Sequence, residues 1–239
     1  DTGDVETSTV SFSSTPGYLS SVDDYYLSSN GIYVSETTNG FYNTSLYAEV
    51  PDTGTTLSWM RCMIATFTAK NGQEWTHTFG RFNSGTYNNQ WMVVTLDAFV
   101  PGTGPSSPSQ LRDGLFWVLE QLPGLIVAQD MTETLRSAGY WGSYNVPYFP
   151  KVYTMSGFEK MYKLHGNSYS HEHCPRANIF RRDAPTVETM DDYQKLMQHN
   201  KWQTDPLQLG SAANGVMARY DLVKSDPDAF GGIDSKVTD

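Results

Sequence analysis

Apolar and polar residues follow one another in short mixed runs along this chain, without a long heptad pattern, an internal repeat or strict strand–helix alternation. Ser20 to Thr38 predicts two strands joined at Ser29-Asn30-Gly31, because Asn-Gly accepts the positive φ of a tight hairpin turn. Thr55 to Lys70 predicts a helix, with Leu57, Met60, Ile64 and Phe67 on one stripe and Asn71-Gly72 as its left-handed cap. Gln90 to Leu96 has the β-branched character of a buried strand, and Pro101 to Ser109 reads as a short surface excursion. Leu115 to Leu119 and Leu125 to Ala128 predict paired strands around Pro123-Gly124. Asp130 to Ser137 and Ser156 to Leu164 predict helices. Glu188 to His199 predicts another, with Met190, Tyr193, Leu196 and Met197 on one face, and the chain beyond reads as irregular. Elements of one kind come in groups, which points to an α+β class; no linker divides the chain, so residues 1–239 read as a single domain.

Composition sharpens this picture in two ways. Hydrophobic content is 38% and aromatic content 13%, enough for a sizeable core and against disorder. A formal charge of −10 argues against nucleic acid as a partner, because that affinity rests on clustered Lys and Arg. No apolar run approaches the ~20 residues of a transmembrane helix. Cys62 and Cys174 are too few for a disulfide framework. Cys62, within the predicted helix, reads as a small core residue, and Cys174, in a polar stretch, as a more exposed one.

Candidate chemistry concentrates in Asn83-Ser84-Gly85-Thr86-Tyr87-Asn88-Asn89-Gln90-Trp91. Its carboxamides offer uncharged N–H donors beside a rigid strand, which suits stabilisation of a developing oxyanion; Asn, Ser and Gly together also make turns. Asp23 and Asp24 are adjacent, so on a strand they face opposite sides and only one can enter a cleft. His171-Glu172-His173-Cys174 lacks the partner cluster that a zinc site needs and reads as a polar loop. There is no Gly-x-Ser-x-Gly elbow and no Gly-rich phosphate loop. Asn43-Thr44-Ser45 is a glycosylation sequon, which makes Asn43 a candidate modification site on a secretory route.

The 83–91 block resembles a segment of the phospholipase B-like proteins, lysosomal or secreted N-terminal nucleophile hydrolases that act through a cysteine. Other blocks resemble the family in the same order. They include Leu119-Glu120-Gln121-Leu122-Pro123-Gly124, Tyr140-Trp141-Gly142-Ser143-Tyr144-Asn145-Val146-Pro147, Pro175-Arg176-Ala177-Asn178-Ile179-Phe180-Arg181-Arg182-Asp183 and Gly231-Gly232-Ile233-Asp234. The resemblance runs from about residue 10 to the end of the chain. It implies the four-layer α-β-β-α sandwich of that hydrolase type, in partial form. The family's cysteine opens a strand several tens of residues before the segment resembling Val10 to Gly17, and relatives continue past Asp239. The chain is therefore expected to be a middle piece of a longer polypeptide.

The resemblance also assigns expected roles. Asn83 would be the oxyanion-hole donor, by likeness to the Asn-Ser-x-Thr-aromatic motif of related cysteine amidases. Arg176 would flank the nucleophile; Arg181 would bind substrate, or form an ion-pair cluster with Arg182 and Asp183. Glu36 and Thr38 would lie near the nucleophile's amine, or form a solvated strand end. Apart from the resemblance, Asp24 is a candidate for the cleft, and Trp91, Trp141 and Tyr144 are candidates for an acyl pocket that read equally as core rings. The expected reaction is cleavage of acyl ester or amide bonds of glycerophospholipids without cofactor or metal. The expected partners are the other segments of the proprotein (N-terminal chain, nucleophile strand, C-terminal segment) and a lipid or N-acyl substrate, with a homodimer left open. A non-catalytic scaffold on the same fold is the competing expectation.

Overall fold

The computed structural model describes residues 4–13, 25–103, 107 and 109–225. They form two compact units, Asp1–Ala138 with Pro147–Gly157, and Gly139–Val146 with Phe158–Asp239. Among the described residues no helix is long and apolar enough to cross a membrane.

The first unit is built on an antiparallel sheet. Its first strands are β1 (Val10–Phe12), β2 (Tyr25–Ser28) and β3 (Ile32–Thr38). The expected hairpin joins β2 to β3, with Gly31 at φ 81°. Two helices follow, α1 (Ser58–Thr68) and α2 (Gly72–Gly80), and then β4 (Asn89–Thr95). A two-stranded ribbon, β5 (Phe99–Val100) with β6 (Gln110–Leu111), stands apart from the sheet. The strands β7 (Phe116–Leu122) and β8 (Leu125–Asp130) turn at Pro123-Gly124 as the sequence predicts. Strand order is β1-β2-β3-β4-β7-β8.

Helices α1 and α2 cover one face of this sheet, over Tyr26, Ile32, Val34, Trp91, Val93 and Leu119. Trp75 and Phe79 of α2 are fully buried and stack with centroids 4.9 Å apart, while Trp91 lies 4.8 Å from Phe79. Rings of this size fill the interlayer space, so α1 presents small residues to it: Cys62, Ala65 and Ala69 are fully buried. Of the expected apolar stripe, Met60 and Ile64 are helical but on the outer face, 39% and 51% exposed; Leu57 is the N-cap, 54% exposed, and Phe67 is half-buried.

Two further corrections belong to this region. Asn71 does not cap the end of α1. It is extended at φ −158° and accepts a hydrogen bond from the Glu74 N–H, as the N-cap of α2. Gly72 then opens that helix against Trp117; a Cβ there would stand 2.7 Å from the indole Cδ1.

The other face of the sheet carries half-buried Tyr33, Ser35, Met92 and Val94. Near its end lies Glu120, fully buried, whose carboxylate accepts from Gln90 Nε2 (2.7 Å), Asn39 Nδ2 (3.3 Å) and the backbone N–H groups of Tyr148 (2.8 Å) and Phe149 (3.0 Å). This carboxylate ties the segment leading into α4 (Pro150–Met155) to β7; α3 (Thr132–Ala138) also contacts β7.

The second unit contains α5 (Phe158–His165), α6 (Pro175–Asp183) and α7 (Met190–Met197). Of the predicted face of α7 only Leu196 is buried; Met190, Tyr193 and Met197 are exposed. Thr189 and Asp192 form a capping box at its start. As expected, the described chain after α7 is irregular. It is held by side chains instead of a ladder: Asn200 Nδ2 donates to the carbonyls of Ala212 (2.8 Å) and Met217 (2.7 Å). Asp205 accepts from both Nη atoms of Arg182 (2.9 and 2.8 Å) and sits 2.8 Å from His199 Nε2.

Candidate functional site

The polar 83–91 block enters β4 beneath the start of α1, and its carboxamides turn inward. Arg61, 3% exposed, meets one of them, Asn83. Its guanidinium donates to the carbonyls of Thr56 (3.2 Å) and Phe79 (2.7 Å), to Ser58 Oγ (3.3 Å), to Asn83 Oδ1 (3.3 Å) and to Gln121 Oε1 (3.0 Å), and it lies 4.3 Å over the Phe79 ring. Burial lowers its pKa to about 10. Gln121 in turn donates to the carbonyls of Thr86 (3.1 Å) and Tyr87 (2.7 Å), and Asn88 Nδ2 closes the loop on the Gly85 carbonyl (3.1 Å). Gly85 permits the turn: φ is 68°, and a Cβ would stand 2.8 Å from Pro123 Cα.

Asn83 is half-buried, and its amide is largely committed inside this network. Oδ1 accepts from Arg61 and from the Gly85 N–H (3.0 Å), while Nδ2 donates to the Leu122 carbonyl (2.9 Å), which leaves a single N–H for any other partner. Arg61 escapes a reading of the sequence because its acceptors come from five separate places. The available signal is the small-residue register Ser58, Arg61, Cys62 and Ala65, which marks the inner face of α1.

Glu36 and Thr38 share one face of β3, opposite Trp91 and Asn89 respectively. Glu36 Oε1 accepts from the Tyr87 hydroxyl (2.9 Å), and Thr38 is exposed. Trp91 is 3% exposed and packs against Phe79 and Trp75, so its ring serves the core and not an acyl pocket. Asp24 lies outside the described residues. Asn43 is half-buried; its Nδ2 donates to the Met155 carbonyl (3.0 Å) and its Oδ1 accepts from Ser45 Oγ (2.6 Å).

Within the second unit, Arg176 stands in the first turn of α6 and donates from Nη1 to Asn145 Oδ1 at 2.7 Å. Asn145 has φ 65°, a left-handed conformation that Asn tolerates better than most residues. Burial lowers the Arg176 pKa, and the groups acting on it are Cys174, Tyr220 and Tyr144. Cys174, the N-cap of α6, is 4% exposed and not the exposed thiol expected; burial raises its pKa. Tyr144 is buried and donates to the His171 carbonyl (2.7 Å), and the desolvated His171 is pushed down to about 4. Trp141 is half-buried. Arg181 is exposed, bonded to Asn178 Oδ1 (2.8 Å) and the Glu172 carbonyl; its neighbour Arg182 makes the ion pairs. Glu36, Thr38, Trp91 and Asn83 thus belong to one unit, and Arg176, Arg181 and Trp141 to the other. Asn145, which the sequence reading did not single out, is the partner of Arg176.

Comparison with known proteins gives a consistent answer. The family model described as Phospholipase B matches residues 1–239. The chain is 44% identical over 236 residues to phospholipase B-like protein G of Dictyostelium discoideum, covering 96% of this chain and 39% of that protein. It is 46% identical over 230 residues to phospholipase B-like protein B of the same organism, covering 95% and 39%. It is 41% identical over 243 residues to putative phospholipase B-like 2 of Rattus norvegicus, covering 95% and 41%. The chain thus spans about two fifths of the length of these relatives. Matched along its whole length, the chain belongs to the phospholipase B family.

Proposed function

We propose that the protein carrying this chain hydrolyses acyl ester or amide bonds of glycerophospholipids, with an N-terminal cysteine outside this chain as nucleophile. The family match over all 239 residues carries this reading. Two structural observations support it. A sheet covered by helices on one face, with half-buried Tyr33, Ser35, Met92 and Val94 on the other, suits one half of a four-layer α-β-β-α sandwich. Neither resident cysteine suits nucleophilic attack, since burial pushes the Cys62 thiol up to about 12 and raises that of Cys174 as well.

In the proposed reaction the nucleophile's α-amine takes the thiol proton and the thiolate adds to the acyl carbonyl. The tetrahedral intermediate collapses to a thioester as the alcohol or amine leaves with that proton. Water then attacks the thioester, releasing the fatty acid and restoring the thiol. The developing oxyanion needs fixed N–H donors. Asn145 is one candidate, because Arg176 holds its Oδ1 and thereby orients the carboxamide. The remaining N–H of Asn83 is a second candidate. Glu36 and Thr38 would hold the amine or the attacking water, Arg181, Trp141 and Asp24 would line the substrate path, and a lysosomal or secreted setting fits the family reading.

The test is to identify the mature chain ends of the full-length protein by mass spectrometry, then assay it on diacyl phosphatidylcholine. An N-terminal cysteine with fatty-acid release that drops about 10²–10³-fold in Asn145→Ala is the expected result. No chain beginning with Cys, and no release, would leave a non-catalytic scaffold.

A further inference from the structure

Arginines of the second unit separate into two kinds. Arg182 is paired with Asp183 and Asp205, Arg219 with Asp221, and Arg181 is exposed to solvent. Arg176 is different. It is desolvated enough for its pKa to fall, yet no carboxylate lies within 4.0 Å of it among the described residues. Burial raises the pKa of its neighbours Cys174 and Tyr144, so neither supplies a negative charge at neutral pH. A desolvated cation without a counter-charge is costly, and a bound anion would remove that cost.

Arg61, which is buried, has no carboxylate partner among the described residues either, but its Nε, Nη1 and Nη2 all donate, to five acceptors in all. Arg176 has one, Asn145 Oδ1, so most of its N–H donors have no acceptor among the described residues. It is half-buried, not sealed, and its place in the first turn of the nine-residue α6 adds the positive end of a helix dipole. Asn145, at φ 65°, holds the guanidinium through this bond.

We infer that Arg176, braced by Asn145, is a binding point for an anionic oxygen group of the substrate, the phosphodiester of a glycerophospholipid. A planar guanidinium matches two oxygens of such a group and would be neutralised by it. The inference rests on the acyl-hydrolase reading and narrows it: substrates with a phosphate near the scissile bond are preferred over neutral lipids with the same acyl chains.

The experiment uses the full-length protein, wild type, Arg176→Gln and Arg176→Lys, with folding checked by near-UV circular dichroism. Fatty-acid release is compared for a short-chain diacyl phosphatidylcholine, the matching neutral diacylglycerol and an N-acyl amino acid bearing a carboxylate. In Arg176→Gln, kcat/KM is expected to fall at least tenfold more on the phosphodiester than on the diacylglycerol, with Arg176→Lys between. Equal losses on all three would make Arg176 a part of the chemical step only and overturn the proposal. A selective loss on the carboxylate substrate would overturn the phosphodiester assignment. Calorimetric titration with dimethyl phosphate separates the two readings. Binding that Arg176→Gln abolishes, in a protein without turnover, sinks the acyl-hydrolase reading and keeps the anion site; wild type that binds nothing sinks the site.

Discussion

Arg61 and Cys62 are neighbours in α1, and burial acts on them in opposite senses, lowering the pKa of one and raising that of the other. Arg61→Met would remove the guanidinium donor from the carbonyls of Thr56 and Phe79 and from Gln121 Oε1, and would leave Asn83 Oδ1 with the Gly85 N–H alone. The expected loss is about 3 kcal/mol or more, read as a shift in the urea midpoint. Cys62 is 0% exposed with its thiol near 12, and Cys174 is buried, so neither is expected to react with a thiol reagent at mildly alkaline pH until the protein unfolds. Rapid labelling of Cys174 in the native protein would contradict the burial described here. The residue scale is also where sequence reading reached least far. Asn83 and Arg176 stand out by likeness, but that Asn83 serves Arg61, or that Arg176 meets Asn145, depends on contacts made only after folding.

At the scale of elements the sequence was more legible, for a physical reason. The β2–β3 hairpin and the β7–β8 turn are set by local chemistry at Asn30-Gly31 and Pro123-Gly124, so they are found where expected. Asn71 is ambiguous because Asn suits both the end and the start of a helix, and here Glu74 three residues on decides for a start. The stripe of α1 misleads in another way: large apolar residues mark the inner face only when the opposing layer leaves room for them. Gly85 tests this layer. Gly85→Ala combines a left-handed φ with a Cβ 2.8 Å from the Pro123 backbone, and is expected to cost about 2–4 kcal/mol, measured by thermal unfolding. Relief by a compensating change elsewhere is not expected, since the obstacle is main chain.

For the molecule as a whole, pH sensitivity follows from two carboxylates. Burial raises the Glu120 pKa from its ordinary 4.5, against the pull of four N–H donors. A group raised in the folded state contributes its full stability below the unfolded value and loses it as pH climbs through the folded one. Asp205 has the opposite sign: Arg182 holds it well below 3.8, so its contribution is present above that value and is lost in stronger acid. Together they place the stability maximum on the acidic side of neutrality. Melting temperature should decline as pH climbs above the ordinary carboxylate value of 4.5, and Glu120→Gln should flatten that decline while lowering the whole curve. An unchanged slope in the variant would remove Glu120 as its source.

The outward stripe of α1 has a consequence for handling this chain. Leu57, Met60 and Ile64 form an adhesive strip on a molecule whose net charge is −10. At low ionic strength mutual repulsion keeps copies apart; salt shortens the range of that repulsion to about 8 Å at 0.15 M and leaves the strip uncompensated. Light scattering should therefore find colloidal attraction growing with salt, and Ile64→Glu should restore dispersion.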